Sequence, residues 1–411
     1  MYLATVRKSP STSRSVPVRR VLVGNVLALG VVSLVTDVSS EMVTSVLGAY
    51  AFVQLGLSVV GVGLLDGFYQ GATALTRLAG GYAADRFGAR KAVAGAGYGL
   101  GAVAKVVLLL VPSAAGVVGS IGVDRVGKGL RTAPRDAMIS LAVPREALGR
   151  AFGVHRAMDS VGAFLGPLVA TGVLLAAGAS TEYGAVFMVS LCVAVLGVAV
   201  LVLFAREPRE SIESARPSLR VVVGLLRDPA VVRVQVAAVL LGFVTVGDTL
   251  VFLRLFLRQE LSTTVYPMLA VATSVAFLVL AVPLGSLADR VGRWRVVVGG
   301  HVALAGVYAL LAMSGGGWLG IAAVLGLYGV FYAATEGVLV AAASTVLPEQ
   351  LRTSGIALLQ TGQALAYMVS SVLFALAWQR FGAGPAWLVA GLGVLLLLPV
   401  VLWLLRPARL V

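Results

Sequence analysis

Charged side chains interrupt several of the most apolar stretches of this sequence. Asp37 and Glu41 lie one helical turn apart in the first of these stretches, and Asp124 lies in the fourth. If such a stretch crosses a membrane, each central charge costs about 2.5–3.5 kcal/mol to insert, so the charges must face one another or water. Because Asp37 and Glu41 are neighbours, they should titrate as a coupled pair. We therefore predict a hydrated cavity in which Asp37, Glu41 and Asp124 exchange protons.

Other polar residues in these stretches lie on the same helix faces as the acids. At about 100° per residue, Lys128 falls on one face with Asp124, and the i,i+3 step places Arg156 beside Asp159. Asp248 occupies a position in the seventh stretch similar to that of Asp37 in the first. The candidate cavity residues are Asp37, Glu41, Asp66, Arg125, Lys128, His155, Arg156, Asp159, Asp248, Glu336 and Gln360.

The composition determines which kind of protein positions these groups. Of the 411 residues, 59% are hydrophobic and only 12% are charged, whereas soluble domains have roughly 45–50% apolar and about 25% charged residues. A soluble enzyme is therefore excluded. The apolar runs are long enough to cross about 30 Å of hydrocarbon as helices, and they lack the alternation of an outer-membrane barrel strand. We predict an all-α membrane protein in a lipid bilayer.

Twelve spans can be placed along the chain, and basic residues in the connections give their orientation. Arg and Lys collect in the N-terminal tail and in the 2–3, 6–7 and 8–9 connections, so both termini should be cytoplasmic. This bias also explains the net charge of +14 without nucleic-acid binding. The predicted spans are 21–50, 57–82, 92–112, 114–141, 147–176, 183–205, 231–257, 264–287, 296–313, 317–345, 351–378 and 383–405.

A charged, proline-containing segment divides the spans into two halves of six. We predict a cytoplasmic tail (1–20), a six-helix bundle (21–205), a linker with a short amphipathic helix (206–230), a second six-helix bundle (231–405) and a second cytoplasmic tail (406–411). The Ala-, Val-, Gly- and Arg-rich composition suggests a bacterial source, and therefore the cytoplasmic (plasma) membrane.

One pattern occurs twice, at one constant spacing close to half the chain. It reads G-x-x-x-D-R-x-G and ends the second and eighth spans. This repeat predicts two bundles related by a pseudo-two-fold axis along the membrane normal. Its aspartates can accept hydrogen bonds from arginines and helix N-termini, which predicts a cytoplasmic gate. The gate residues are Gly81, Asp85, Arg86, Gly88 and Arg90 in the first copy and Gly285, Asp289, Arg290, Gly292 and Arg293 in the second.

This repeated motif resembles the best-known signature of the major facilitator superfamily. Two further segments are similar to its motifs: Arg125-Val-Gly-Lys128-Gly129, and a helix 5 signature made of Gly153, Gly162, Gly166 and Pro167. The match ends at Pro167, because residues 168–172 lack the pair of glycines that customarily follows the proline in this motif. The resemblance implies the twelve-helix major facilitator fold, the drug:proton antiporter branch, and a part for Arg125 in proton handling.

The expected function is secondary active transport by alternating access, as proton-coupled export of a small organic molecule or drug. No G-x-x-x-x-G-K-[ST] motif occurs, so an ion gradient is the expected energy source. We expect a functional monomer without a cofactor, and one cysteine with two distant histidines indicates no metal site. One alternative is transport of an anionic metabolite or metal chelate by the basic residues of span 4. An intramembrane enzyme is disfavoured because the loops are short and no nucleophile–base set is present.

Overall fold

A computed structural model describes residues 24–87, 90–144, 147–178, 182–207, 223–313, 316–339, 346–348 and 351–405, with backbone alone at 74, 75, 77–87, 133, 149 and 352–354. These residues form twelve long helices and no strand. The helices are α1 (Asn25–Ala49, continued by the π-helical turn Tyr50–Gln54), α2 (Val59–Phe87), α3 (Arg90–Leu110), α4 (Ala114–Leu141), α5 (Leu148–Ala176), α6 (Tyr183–Phe204), α7 (Pro229–Phe243 and Asp248–Arg258), α8 (Tyr266–Val291), α9 (Arg293–Ala312), α10 (Gly317–Thr335), α11 (Arg352–Phe381) and α12 (Ala383–Leu404).

Ten of these described helices are long and apolar enough to cross a bilayer by composition alone. The other two, α2 and α4, are 29 and 28 residues long but carry more charge. Asp124, Arg125 and Lys128 all lie in α4. Asp124 pairs with Lys105 of α3 and with Arg125 of its own helix. The all-α membrane fold predicted from composition is confirmed.

The seventh span contains a break that the sequence analysis did not predict. Its helix stops at Phe243 and resumes at Asp248. Tyr308 of α9 bridges the gap, because its hydroxyl accepts a 2.7 Å hydrogen bond from Val246 N–H and donates to Val244 O at 3.4 Å. A buried backbone N–H needs such a partner. The predicted continuous span 231–257 is therefore wrong at its centre.

The tenth span is interrupted as well. Helix α10 stops at Thr335, and Glu336 has extended backbone angles. Gly337 follows with φ of 79°, a left-handed conformation that glycine adopts without the steric cost of a Cβ. Helical backbone resumes at Val338 and Leu339, and residues 340–345 lie outside the described residues. The predicted span 317–345 is therefore interrupted at Glu336 and Gly337.

Each half of the chain packs chiefly on itself, α1 against α5 and α3 against α4 in the first half, α9 against α10 and α12 in the second. Contacts between halves are concentrated on α2 and α11. A Cβ added at Gly63, Gly67 or Gly71 would collide with Ala375 or Met368. Small residues allow such close helix approach, here at the end of the bundle away from the chain termini.

Candidate functional site

The acid pair of α1 is open rather than neutralised by direct contacts. Asp37 and Glu41 are both half-buried. No described side chain donates a hydrogen bond to either carboxylate, and their oxygens are not enclosed. Lys128 of α4 exerts the strongest attractive charge on both acids, although it lies beyond the 4 Å of an ion pair. The predicted neighbours on α1 therefore share a common cation, Lys128, that forms no ion pair with either of them.

Helix α5 fixes the backbone behind these two acids. A Cβ at Gly162 would lie 3.1 Å from the Cβ of Asp37, and a Cβ at Gly166 would lie 2.6 Å from that of Glu41. Both distances are too short for a real side chain, so the two glycines set the α1–α5 spacing. Gly153, the first glycine of the signature, has open space around its Cβ position.

In contrast, Asp124 of α4 is held by two cations. It accepts a hydrogen bond from Lys105 Nζ of α3 at 3.0 Å and another from the guanidinium of Arg125. The Arg125 guanidinium also lies 4.1 Å from the centre of the Tyr69 ring. All three charged side chains are at most 11% exposed, and a cavity of about 30 Å³ beside them is large enough for a water molecule.

The remaining polar residues of α4 and α5 turn to different neighbours. Arg135 pairs with Asp136 at 2.9 Å and donates to Ser33 of α1 at 3.2 Å. Asp159 contacts His155, with 3.6 Å between the imidazole nitrogen and the carboxylate. Arg156 is exposed, and the predicted placement of Arg156 beside Asp159 gives no ion pair.

In the second half, Asp248 begins the second part of α7. Tyr328 donates to its Oδ1 at 2.6 Å, Tyr367 donates to the same oxygen at 3.3 Å, and Tyr332 is a third donor to it. No described residue donates to Oδ2, which is not enclosed. The sequence analysis missed the tyrosines, because tyrosine in an apolar run also occurs as ordinary core; the i,i+4 spacing of Tyr328 and Tyr332 was the available signal.

Asp66 of α2 connects the two halves. Its Oδ1 accepts a hydrogen bond from Thr249 of α7 and its Oδ2 accepts one from Ser371 of α11, each at 2.8 Å. The residue is buried, and Gly247 packs directly against the carboxylate. Asp66 therefore lies at a joint between the halves.

A cavity of about 310 Å³ lies between the second-half helices and α2. It contains the predicted Glu336 and Gln360 but not Asp37 or Glu41. Among the described residues no group of three or more His, Cys, Asp or Glu side chains could hold a metal ion. The cavity is lined by Gln70, Val234, Ala238, Thr245, His301, Phe331, Tyr332, Thr335, Glu336, Gly337, Leu339, Ile356, Leu359, Gln360, Gln363, Ala364 and Tyr367.

Comparison with known families identifies this architecture. The family model of the Major Facilitator Superfamily matches residues 29–262 and 249–410, nearly the whole chain. The chain belongs to the major facilitator superfamily. Members of this family are secondary transporters, so the protein is a membrane transporter.

Two relatives illustrate the range of the match. An uncharacterized MFS-type transporter of Methanocaldococcus jannaschii is 27% identical over 372 residues, which cover 88% of this chain and 90% of that protein. The multidrug resistance protein MdtG of Citrobacter koseri is 30% identical over 171 residues, 40% of this chain and 41% of MdtG.

Solved structures share the fold of the transporter at low sequence identity. The nucleoside transporter NupG has a TM-score of 0.76 with 14% identity, covering 93% of this chain and all of NupG. A D-xylose–proton symporter has a TM-score of 0.71 with 16% identity, covering 93% of this chain and 96% of the symporter. At this identity the likeness establishes the two-bundle fold and carries no information on substrate.

The predicted gate motifs of the transporter lie at helix ends rather than in loops. Helices α2 and α8 continue to Phe87 and Val291, so Asp85 and Asp289 belong to last helical turns; the predicted ends at 82 and 287 were too early. Gly88 lies outside the described residues, and Gly81, Asp85 and Arg86 are described by backbone alone. The backbone N–H of Arg90 donates to Glu207 at 3.1 Å.

In the second copy of the motif, Asp289 pairs with Arg293 of the same copy at 3.4 Å, and both side chains are exposed. Arg290 is exposed as well, and Gly285 and Gly292 have open space at their Cβ positions. No contact between Asp289 and the first half is seen among the described residues.

Proposed function

We propose that the transporter exports a small organic molecule in exchange for protons, and that Asp37 and Glu41 carry the exchanged proton. The observation that supports this proposal is the lack of direct hydrogen-bond and ion-pair partners at the Asp37 and Glu41 carboxylates. They receive no hydrogen bond from the described residues, and Lys128 is the cation that acts most strongly on both. More distant arginines of α4 add to its effect. Asp124, in contrast, is in direct contact with two cations. A carboxylate that exchanges protons must be reachable by water, and this pair is.

Charge balance gives the pair a mechanism for coupling. With both acids ionised and Lys128 protonated, the three groups carry one net negative charge. One proton on the pair neutralises this charge, and a positive substrate charge held elsewhere between the two halves offsets it. Since enclosing an uncompensated charge in a low-dielectric site is costly, the protein changes sides only with one or the other bound. Proton and substrate then move in opposite directions.

Asp124 and Arg125 have a supporting part in this mechanism. Both act on Glu41 through space, and their mutual contact holds the guanidinium over Tyr69. We assign them the fixed field in which the acid pair exchanges its proton. The glycines at 162 and 166 keep α1 and α5 in register, so the carboxylates hold their position.

The positive-inside pattern of the sequence gives the orientation of this structure in the membrane. With both termini in the cytoplasm, the joint formed by Asp66, Thr249 and Ser371 lies on the external side. The cavity extends from Thr245 at the α7 break to Val234 near the first turn of α7, which is the cytoplasmic end. We therefore assign the structure to the inward-facing state of a transporter that works as a monomer in a bacterial plasma membrane.

The test uses proteoliposomes with an acidic lumen and the permanent cation ethidium as a probe. Proton-coupled antiport should concentrate ethidium in the lumen, because protons leaving down their gradient drive the cation inward. Asp37→Asn and Glu41→Gln should abolish this accumulation, and Glu260→Gln, which alters an exposed acid, should not. Full accumulation in both neutralised variants would refute the assignment.

An alternative substrate class is an anionic metabolite or metal chelate bound by Arg125 and Lys128. The observation in its favour is that Lys128 has no ion pair within 4 Å among the described residues. Arg125, however, is already matched by Asp124. The same proteoliposomes with the anionic dye carboxyfluorescein test this alternative. Transport of the dye driven by a pH gradient of either sign would support it.

A further inference from the structure

We propose that Asp248 and its tyrosines form a binding site for an organic cation, such as a protonated or quaternary amine with an apolar body. The inference rests on the proposed function and specifies its substrate class. It places the substrate charge in the second half of the chain, away from the acid pair that exchanges protons.

The hydrogen bonding of Asp248 leaves one oxygen available. Tyr328, Tyr332 and Tyr367 all donate to Oδ1. An ionised carboxylate has only acceptor positions, so three donors on one oxygen orient the group without neutralising its charge. Oδ2 has no donor among the described residues and is not enclosed. The tyrosines therefore position a carboxylate whose second oxygen has no described donor. Asp248 does not itself line the cavity of about 310 Å³, but Tyr332 and Tyr367 line it and contact Asp248.

The surrounding charges select a cation. The described lining of the adjacent cavity contains Glu336 but no lysine or arginine. Arg254 and Arg258 lie on the same helix part as Asp248, but they donate to the backbone carbonyls of Leu311 and Leu310. Asp66, across the joint, adds a third acid nearby. An anion would be repelled by Asp248 and Asp66, whereas a cation would relieve the repulsion between these two acids.

The aromatic walls add a second recognition element. Phe331, Tyr332 and Tyr367 line the cavity, and Tyr328 stacks on Phe331 with 5.9 Å between ring centres. Aromatic faces attract ammonium groups through the negative potential above the ring. The volume of about 310 Å³ falls at the lower end of sites for drug-sized ligands, roughly 300–1,000 Å³. A small aromatic or aliphatic amine fits both the charge and the size.

The experiment is isothermal titration calorimetry on the purified full-length protein with two probes of similar size and opposite charge. Phenyltrimethylammonium should bind, and benzenesulfonate should not. Asp248→Asn should weaken phenyltrimethylammonium at least tenfold, and Glu260→Gln should leave it unchanged. If Asp248→Asn does not fold, Glu336→Gln, at an exposed helix end, should still weaken binding about threefold. Equal binding of the two probes, or unchanged affinity in both variants, would overturn the proposal.

Two further variants separate this proposal from the proton-coupling mechanism. Asp37→Asn and Glu41→Gln should lose pH-driven ethidium accumulation but keep phenyltrimethylammonium affinity within about threefold. If these variants lose the affinity while Asp248→Asn keeps it, the cation site is misplaced although proton coupling stands. A third outcome is that Asp248→Asn loses phenyltrimethylammonium binding while the unmodified transporter shows no ethidium accumulation under a pH gradient. In that case the cation site is supported and the proton-coupling mechanism is refuted.

Discussion

Ser371 of α11 donates a 2.8 Å hydrogen bond to Asp66 of α2, and this bond joins the two halves of the transporter. Thr249 of α7 donates to the other oxygen of the same carboxylate. The three residues come from distant parts of the sequence and meet where glycines bring α2 and α11 into close contact. One buried acid is thus shared by three helices that must separate if this end of the molecule opens.

Removing these hydrogen bonds should favour opening at that end. A hydrogen bond to a charged group contributes about 1.5–3 kcal/mol, so Ser371→Ala should shift the ratio of closed to open forms by roughly 10-fold or more. Spin labels on the ends of α2 and α11, read by pulsed electron resonance, measure the distance distribution. Ser160→Ala, whose hydroxyl bonds only within its own helix, serves as the control. An unchanged distribution in Ser371→Ala would contradict a latch at Asp66.

Two of the three signature glycines of α5, Gly166 and Gly153, should differ in their tolerance of a methyl group. In Gly166→Ala the new Cβ would meet Glu41 Cβ at 2.6 Å, and overpacking of this kind costs about 1–3 kcal/mol. Gly153→Ala meets open space and should be neutral or slightly stabilising, because alanine favours the helix. Thermal unfolding in detergent gives both values. Equal melting temperatures in the two variants would show that α1 and α5 are not in close contact there.

Sequence alone predicted the helices well because apolar length and basic connections are local properties of a chain. It also placed Asp37, Glu41 and Lys128 in one half and predicted the repeat. It could not predict the break in α7, since that break depends on Tyr308 from a different helix. For the same reason, the tyrosines around Asp248 were not recognised as polar partners. Contacts between helices decide these features, and a single sequence contains no direct record of them.

Substitutions in the buried cluster of Asp124, Lys105 and Arg125 should lower the stability of the protein by different amounts. Asp124→Asn leaves Lys105 and Arg125 buried without their anion, and breaking a buried pair in this way costs about 3–5 kcal/mol. Lys105→Met should cost less, because Asp124 keeps its contact with Arg125. Melting temperatures of the unmodified protein, the two single variants and the double variant complete a double-mutant cycle. A larger loss in Lys105→Met than in Asp124→Asn would show that Lys105 is the principal partner.

The hydroxyl of Tyr308 should stabilise the break in α7. Tyr308→Phe removes the acceptor for Val246 N–H, and a buried donor left without a partner costs about 1–3 kcal/mol. Tyr98→Phe is the matched control, because the buried Tyr98 hydroxyl has no hydrogen-bond partner among the described residues, so its removal should be neutral. Since the second part of α7 begins only two residues after Val246, Tyr308→Phe should also displace Asp248 and weaken phenyltrimethylammonium binding. A lowered melting temperature with unchanged affinity would mean that the tyrosines around Asp248 hold it without help from the break.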